Sequence, residues 1–531
     1  MTADIWDVVI VGAGLSGLSA AHLLTKRDAK LRVLILEGKD RVGGRTVSSE
    51  IPAADGADRW DFGGQWVGST QTHIMELIEE LGLELYPQFN DGKKVLHLGG
   101  PTSRVRTYRT SIPALSPLVL LDFTQMLWKV RFDRLCRTVC VHDPLRTPNA
   151  AELDSMTVHS YIEQHAWTEE LKEQLGVCSR SVFGVEPSQM SFLFFLMYAA
   201  AAGGLLALLE STPGCAQEFK IKGGTQQLSE CLAQQVGWKN VRLGSAVTAI
   251  WQDAEWARVV TTSDTFLCRA VIVTCPPHLA AKIQYQPALP SMREFLTQNM
   301  PVGHMMKFIV TYQTAFWKEK GLSGEIVAGS STDCPFCVTF DATSPRGNPA
   351  LVGFISGQQA TLWSAGERRT AVLSSLVKYL GPEAASCIHY EEKDWAKEEF
   401  SGGCPVNVMA PGLLTFYQPS LRNPCGRIHW AGTETATRWC GYMSGAVQAG
   451  QRAALEVLAE VSHVVLTAEE QESLIRGQTL HRPPKPTALS ALLKRLTRKS
   501  VLVPALTISA ALLLARKQNV PMKIKTYIGS F

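Results

Sequence analysis

The sequence predicts an α/β protein of two interleaved domains that ends in a single apolar helix. An apolar strand, a glycine-rich turn and a helix open the chain, in "DIWDVVIVGAGLSGLSAAHLLTK". A second strand–turn–helix unit occupies residues 427–458, and residues 500–515 carry no charged side chain. The chain has 531 residues, of which 46% are hydrophobic and 19% charged. This composition is typical of a folded protein with more than one domain.

The opening unit has the features of a dinucleotide-binding turn. Gly12, Gly14 and Gly17 follow the strand at residues 8–11, and the next strand, "LRVLILE", ends in Glu37. Glycines allow the backbone to approach a pyrophosphate, and the free amides and dipole of the helix N-terminus favour its charge. An acidic residue about 20 positions further on binds a ribose hydroxyl. The pattern therefore predicts a Rossmann-like unit.

Two further glycine-rich segments indicate which dinucleotide is bound. They are "GKDRVGGRT" at residues 38–46, directly after the acidic residue, and "DFGGQWVGSTQ" at residues 61–71. A second set of close approaches and anion contacts suits a flavin that lies extended across the domain, so we predict FAD. The residues predicted to contact FAD here are Arg41, Gly43, Gly44, Arg45, Gly64 and Gln65.

The second strand–turn–helix unit reads "RIHWAGTETATRWCGYMSGAVQAGQRAALEVL", with a helix predicted from about Ser444. Amides at a helix N-terminus carry partial positive charge, which would stabilise an anionic reduced flavin ring. We predict that this unit contacts the cofactor through Gly432, Thr433, Glu434, Tyr442 and Met443.

Together with "SGGC" at residues 401–404 and "PVGHMMKFIVTYQTAFWK" at residues 301–318, these motifs resemble the flavin-containing monoamine oxidases. The matching motifs run in the same order from Asp4 to Leu458. The resemblance implies a flavin-dependent oxidase of primary or secondary amines. In that reaction the amine α-carbon gives up hydride equivalents, and the imine hydrolyses to an aldehyde and ammonia or an amine. Dioxygen is reduced to hydrogen peroxide.

The resemblance also implies roles for individual residues. Cys404 would form a thioether to the flavin 8α-methyl group, whereas an unmodified cysteine there would be a small buried hydrophobe. Lys307 would hold a water near flavin N5 as a catalytic residue; its alternative is a strand-edge lysine that reaches solvent. Tyr442 would form one aromatic wall of the amine slot, also as a catalytic residue. Val247 and Trp395 would contact the cofactor.

The substrate pocket departs from the family pattern. The family has a second slot tyrosine after the linking cysteine, and Pro405 stands there instead. Phe400 and Trp395 are nearby in sequence and are candidates to fill the gap, or they are ordinary core aromatics. We expect an apolar cavity of altered shape, so the preferred amine is not predicted. The predicted pocket residues are Ser181, Leu209, Gln217, Val338 and Pro405.

Two other functions are compatible with the sequence. The loss of the second tyrosine allows a flavin-bound, membrane-tethered paralogue with little turnover. Oxidation of a polyamine or an amino acid is the other alternative, with Arg180 and Arg438 as candidate ligands for a substrate carboxylate.

No metal site is predicted from the cysteines. The thirteen cysteines are scattered, which indicates reduced thiols in a cytosol-facing protein. Cys334 and Cys337 in "CPFC" have no second pair and are interpreted as part of a turn.

The C-terminal tail carries the basic charge of the chain. From residue 461 onward there are eleven Lys or Arg against three Glu, so the first 460 residues have a net charge of about −4 and a nucleic-acid partner is not expected. The uncharged residues 500–515 follow "HRPPKP" and are flanked by basic clusters. As a helix they cover about 24 Å of a ~30 Å hydrocarbon core. We predict a single-pass membrane anchor, with a helix packed on the body as the alternative.

The resemblance places this anchor in the mitochondrial outer membrane with the body facing the cytosol, and it implies a homodimer. The predicted substrates are a small-molecule amine and dioxygen. The FAD-binding domain is predicted at residues 5–90, 220–296 and 400–460, and the substrate domain at residues 91–219 and 297–399. A linker is predicted at residues 461–490, and the anchor with its tail at residues 491–531.

Overall fold

The computed structural model of the chain describes residues 5–100, 102–110, 114–128, 132–329 and 334–476. Numbered in chain order, the strands of these residues are β1 (Ile5–Val11), β2 (Val33–Leu36), β3 (Ser48–Ala53), β4 (Gly56–Asp61), β5 (Trp66–Val67), β6 (Leu85–Pro87), β7 (Lys93–His97), β8 (Arg106–Tyr108), β9 (Phe219–Ile221), β10 (Val241–Arg242), β11 (Val247–Gln252), β12 (Ala257–Thr261), β13 (Thr265–Val273), β14 (Gln284–Gln286), β15 (Met305–Thr311), β16 (Leu322–Ala328), β17 (Val338–Asp341), β18 (Ala350–Ser356), β19 (His389–Asp394) and β20 (Ile428–Trp430).

The α-helices of the same residues are α1 (Leu15–Arg27), α2 (Thr72–Glu80), α3 (Pro117–Trp128), α4 (Phe132–Thr138), α5 (Ala150–Ser155), α6 (Val158–His165), α7 (Glu169–Phe183), α8 (Phe192–Ala201), α9 (Leu205–Leu209), α10 (Gln226–Val236), α11 (Pro277–Ala280), α12 (Ser291–Gln298), α13 (Phe316–Glu319), α14 (Ala365–Leu380), α15 (Leu413–Tyr417), α16 (Met443–Val461) and α17 (Ala468–Arg476).

The larger sheet has eight strands, in the order β10-β2-β1-β13-β12-β11-β14, with β20 also paired to β13. The pairs that join β10, β2, β1, β13 and β20 are parallel, and the central residues of β1, β2 and β13 are buried. Continuous apolar runs are typical of such strands because helices cover both faces of a parallel sheet. Helices α1 and α16 pack together, so closely that a Cβ on Gly450 would lie 2.1 Å from the Ser16 carbonyl oxygen. The predicted α/β fold is confirmed.

The second sheet has seven strands in the order β19-β15-β18-β17-β16-β7-β8. Strand β15 pairs with β18 on one side and β19 on the other, and all seven of its residues are buried. Helices from residues 117–209 form an apolar cluster beside this sheet. Two smaller sheets have the strand orders β3-β4 and β5-β9-β6.

Each large sheet draws its strands from separated parts of the sequence. The eight-stranded sheet uses residues 5–36, 241–286 and 428–430, whereas the seven-stranded sheet uses residues 93–108 and 305–394. This sheet membership is compatible with the predicted interleaving, and the domain boundaries stay a prediction.

The predicted linker at residues 461–490 begins as folded structure. Helix α17 lies within it, Glu470 forms an ion pair with Arg27, and Leu474 packs on the core around α1. The predicted anchor at residues 491–531 lies outside the described residues. Within the part of the chain that the structure describes, no helix combines the length and the apolar character that a membrane crossing needs.

Candidate active site

The glycine-rich turn after β1 lies beside the end of β2. Gly12 has φ of +105°, and a Cβ on Gly17 would lie 2.0 Å from the Gly12 carbonyl oxygen, so both positions require glycine. The carboxylate of Glu37 accepts the Ala13 amide at 2.7 Å, which holds it against the turn. Around Gly14, a Cβ would meet nothing nearer than 4.0 Å. This open glycine surface next to a carboxylate suits a pyrophosphate and a ribose.

Gly14 also bridges to Gly43 of the second glycine-rich segment, which brings the two predicted cofactor segments together. A Cβ on Gly44 would lie 3.5 Å from the Gly14 Cα. Gly432, at the end of β20, donates its amide to Ser16 Oγ at 2.9 Å. Three separated segments therefore meet at the start of α1.

A buried ion pair joins the second and third of these segments. Arg45 donates to both carboxylate oxygens of Glu434, at 2.6 and 3.1 Å. The same guanidinium donates to the Pro405 carbonyl oxygen at 2.8 Å. Burial favours a higher pKa for Glu434, but the Arg45 charge and hydrogen bonds outweigh it and lower that pKa. Arg45 thus fixes the residue after Cys404 to the turn before α16.

A second acidic centre lies after β19. The Glu398 carboxylate accepts from Lys39 at 2.8 Å, from Arg41 at 2.6 Å and from Lys393 at 2.5 Å. Burial alone would raise the pKa of Glu398, but the hydrogen bonds from Lys39, Lys393 and Arg41 lower it to about 2. Three cations around one carboxylate leave excess positive charge next to Glu37, which suits a phosphate group.

Cys404 is buried in a loop of close backbone contacts. A Cβ on Gly403 would lie 2.5 Å from the Gly303 carbonyl oxygen, so the loop packs directly on backbone. The Cys404 Sγ lies 3.8 Å from the Met305 carbonyl oxygen, and the Cys404–Pro405 peptide bond is cis. Burial raises the pKa of the thiol to about 12, with partial compensation from Arg45 and Lys307, so the free thiol is neutral.

Lys307 lies in the interior strand β15, and 2% of it is exposed. The alternative of a strand-edge lysine is therefore wrong. Its Nζ donates to Gln65 Oε1 at 2.6 Å and to the Gly63 carbonyl oxygen at 3.1 Å. Burial lowers the pKa of Lys307 to about 7, and the Asp61 carboxylate opposes part of that shift. The structure thus brings two predicted site residues, Lys307 and Gln65, into direct contact.

Tyr442 is the residue before α16, and its ring belongs to a group of aromatic side chains. Its centroid lies 6.0 Å from that of Tyr198 and 5.0 Å from that of Trp439. The Thr433 hydroxyl donates to the Tyr442 carbonyl oxygen at 2.8 Å, which holds the start of the helix. Tyr198 was not predicted, because nothing distinguishes it from the apolar run of α8 around it.

The two aromatic residues near Pro405 in sequence lie in other surroundings. Phe400 is 40% exposed, and its ring lies against Gly38. Trp395 is buried and donates its Nε1 to the Phe62 carbonyl oxygen at 2.9 Å, with the Lys393 Nζ 5.2 Å from its ring centroid. These surroundings favour the interpretation of Trp395 as a core aromatic, whereas Phe400 is too exposed to be one.

Three of the predicted pocket residues lie in or beside one apolar cluster. Leu209 and Val338 share one apolar cluster with Tyr442. Ser181 on α7 donates to the sulfur of Cys337, the residue before Val338, at 3.4 Å. These contacts bring elements distant in sequence to one side of the site.

Gln217 donates its Nε2 to the carbonyl oxygen of Leu208, the residue before Leu209, at 3.0 Å. The Oε1 of Gln217 is buried and has no partner among the described residues. This side chain therefore has one acceptor atom available to a ligand.

Three further observations concern the fit of a flavin. A Cβ on Gly64 would contact Met443 Sδ at 3.6 Å, so the second glycine-rich segment meets the first turn of α16. The Ser444 hydroxyl in that turn is buried and has no partner within the described part of the chain. Val247 starts β11 and packs on the core of the eight-stranded sheet. Gly64, Met443 and Ser444 fit a bound flavin, to which the Ser444 hydroxyl would supply a hydrogen bond.

Comparison with known proteins also indicates a flavin-dependent amine oxidase. The family model for flavin containing amine oxidoreductases matches residues 15–458. Amine oxidase [flavin-containing] A of Bos taurus is 38% identical over 462 residues, which cover 86% of this chain and 85% of the relative. The probable flavin-containing monoamine oxidase A of Dictyostelium discoideum is 37% identical, with 86% and 98% covered.

Solved structures agree with this relationship. Cyclohexylamine oxidase from Brevibacterium oxydans has a TM-score of 0.80 at 32% identity, with 86% of this chain and 99% of that chain covered. Wild-type putrescine oxidase bound to putrescine has a TM-score of 0.80 at 30% identity, with 86% and 100% covered. The chain belongs to the flavin-containing amine oxidoreductase family, and its activity is the FAD-dependent oxidation of an amine.

Proposed function

We propose that the chain oxidises a small apolar monoamine, with FAD attached to Cys404 and dioxygen reduced beside Lys307. One observation carries this proposal: Arg45 binds both Glu434 and the Pro405 carbonyl oxygen, so the cysteine loop and the segment between β20 and α16 are held at one site. Lys307 comes from the opposite sheet and contacts Gln65 in the same region.

Each group has a distinct task in this proposal. When bound, FAD accepts hydride equivalents from the amine α-carbon and passes electrons to dioxygen. The aromatic face of Tyr442, against which Tyr198 packs, attracts and orients the amine through an interaction worth about 0.5–2 kcal/mol. The Lys307 ammonium stabilises the negative charge that develops on dioxygen. No side-chain base is required, because the amine enters in its neutral form.

The apolar cluster around Tyr442, Leu209 and Val338 supports a monoamine rather than a polyamine or an amino acid. Arg180 already pairs with Glu186 at 2.9 Å, so it is not available to a substrate carboxylate. A charged distal group would be desolvated in such a lining without compensation. The related cyclohexylamine oxidase acts on a compact apolar amine, and we extend that substrate class to this chain.

Hydrogen peroxide release with four compounds tests the substrate class: benzylamine, cyclohexylamine, putrescine and an α-amino acid. We expect turnover with the two apolar monoamines and anaerobic loss of the oxidised flavin absorbance on mixing. Bleaching by putrescine or the amino acid alone would refute the monoamine assignment.

Acid precipitation tests the attachment of the cofactor. We expect the wild-type pellet to keep the flavin chromophore, and Cys404→Ser to release it to the supernatant. Cys440→Ser is the matched control, because Cys440 is another buried thiol near Glu434, and it should keep the chromophore in the pellet. Release of free flavin from the wild type would refute the thioether.

We also propose that residues 491–531 anchor a homodimer in the mitochondrial outer membrane with the body toward the cytosol. The uncharged residues 500–515 with basic flanks support the anchor. Deletion of residues 488–531 should convert a detergent-requiring protein into a soluble one that still binds flavin. Extraction of the full chain by alkaline carbonate alone would contradict the anchor.

A further inference from the structure

A second lysine, Lys220, is buried close to the Lys307 site. Lys220 lies on β9, is 3% exposed, and stands opposite Trp66 in the β5-β9 ladder. Its Nζ donates to the Asp341 carbonyl oxygen at 3.4 Å and lies 4.9 Å from the Tyr86 ring centroid. Among the described residues it forms no ion pair. A buried ammonium held by one long hydrogen bond and an aromatic face is costly, and it requires an explanation.

Trp66 connects the two lysines. Its ring centroid lies 5.7 Å from the Lys307 Nζ, and its Nε1 donates to Gln88 Oε1 at 2.8 Å. Gln88 in turn donates its Nε2 to the Asp341 carbonyl oxygen at 2.9 Å, the same acceptor that Lys220 uses. A continuous set of contacts therefore runs from Lys307 to Lys220.

Carboxylates do not neutralise either lysine directly. Asp61, on β4, accepts from the Ser48 hydroxyl and from the Thr225 amide and hydroxyl. Asp341 forms its ion pair with Lys318, at 3.1 Å. The charged and titratable groups that face Lys307 are Asp61, Lys220, Cys404 and, opposite it on β19, Lys393, which pairs with Glu398. Those that face Lys220 are Asp341, Lys318, Asp61 and Tyr86.

We propose that Lys220 is a positioning residue for the oxygen reaction: its buried charge repels that of Lys307 across Trp66 and so sets the pH at which Lys307 loses its proton. Two ammonium groups that share one low-dielectric region disfavour each other's charged form. Burial likewise lowers the pKa of Lys220, to about 8. Lys220 touches neither amine nor dioxygen in this proposal, which rests on the proposed role of Lys307.

The test is the rate of reoxidation of the reduced holoenzyme by dioxygen, measured by stopped flow as a function of pH. For the wild type we expect the rate to fall as the pH rises through about 7, where Lys307 loses its proton. Lys220→Met should move this inflection upward by about 1 pH unit. Lys220→Arg keeps the charge and should keep the wild-type inflection. Anaerobic reduction by amine should be unchanged in both variants.

Gln88 offers a second pair of variants if Lys220→Met fails to fold. Gln88→Glu places a carboxylate between Trp66 and Lys220 and should also move the inflection upward, whereas the uncharged Gln88→Leu should not. An inflection that stays at the wild-type pH in Lys220→Met or in Gln88→Glu overturns the proposal, as does an equal shift in Lys220→Arg.

Lys307→Met separates this proposal from the one on which it rests. If the wild-type inflection persists in Lys307→Met, Lys307 is not the titrating group and its proposed oxygen role fails. If the inflection disappears in Lys307→Met but is unmoved in Lys220→Met, the role of Lys307 stands and that of Lys220 is refuted.

Discussion

The two sides of the site are held together by different forces. On the cofactor side, buried charges are paired directionally: Arg45 binds Glu434 through two hydrogen bonds, and Glu398 accepts from three cations. On the side proposed to bind the substrate, Tyr442, Leu209 and Val338 share an apolar cluster in which packing is the main interaction.

This difference predicts where substitutions are tolerated. Removing one partner of a buried ion pair leaves an uncompensated charge, so few substitutions are tolerated there. An apolar lining tolerates exchanges of shape if the volume stays similar. The predictions agree with this difference: Arg45 and Glu434, both predicted from motifs, form the ion pair, whereas the predicted departure from the family, Pro405, concerns the proposed slot.

The largest expected effect comes from breaking the buried pair. Arg45→Met leaves Glu434 buried without its cation, and we expect a loss of about 3–5 kcal/mol in the free energy of unfolding, together with loss of flavin. Arg59→Met is the control, because Arg59 pairs with Glu230 at 3.5 Å where both side chains are over one-third exposed, and it should cost less than about 1 kcal/mol. Urea unfolding and flavin content measure both. Equal losses would contradict the stated difference between the two sides.

The second-largest expected effect separates the reduction of the flavin by amine from its reoxidation by dioxygen. Lys307→Met should slow reoxidation of the reduced flavin by dioxygen by about 100-fold, because it removes a preorganised charge. Anaerobic reduction by amine should change far less. Lys26→Met serves as the control, because Lys26 pairs with Glu80 at the surface, and it should change neither rate. If Lys307→Met slows both half-reactions equally, Lys307 has a structural role alone.

On the substrate side, Pro405→Tyr should raise kcat/KM for arylalkylamines by up to about tenfold, or roughly 1.4 kcal/mol, by supplying a second aromatic wall. Tyr442→Ala in the natural background should reduce kcat/KM by more than this gain. Steady-state kinetics with benzylamine give both values. No gain in Pro405→Tyr, with flavin still covalently bound, would show that the slot does not need two aromatic walls.

The smallest effect is expected from a substitution in the apolar cluster that lines the proposed pocket. Val338→Phe adds volume at the start of β17 and should change the ratio of kcat/KM for benzylamine and cyclohexylamine by less than about tenfold. The unfolding free energy should fall by about 1–3 kcal/mol because the site is buried. A loss of all activity would indicate that Val338 lies closer to the reacting atoms than the lining interpretation allows.

The sequence alone determined the features that depend on local pattern. An apolar strand, a glycine turn and a helix specify the dinucleotide unit, because the positions of Gly12 and Gly17 admit glycine alone and the end of the strand is buried on both faces. Lys307 within an apolar run was already an anomaly, since a buried ammonium needs a specific partner. The α/β class, the family and FAD followed from such motifs.

The tertiary structure decided which residues contact one another in the site. Arg45 and Pro405 are 360 residues apart in the chain, and Lys307 and Gln65 are 242 apart, so no periodicity relates them. Glu398, Tyr198 and Lys220 have no local signal, because a charged residue in a loop, an aromatic in a helix and a lysine in a short strand are all ordinary in sequence. Their importance comes from burial and from the charges that surround them, and both are created only when distant segments pack together.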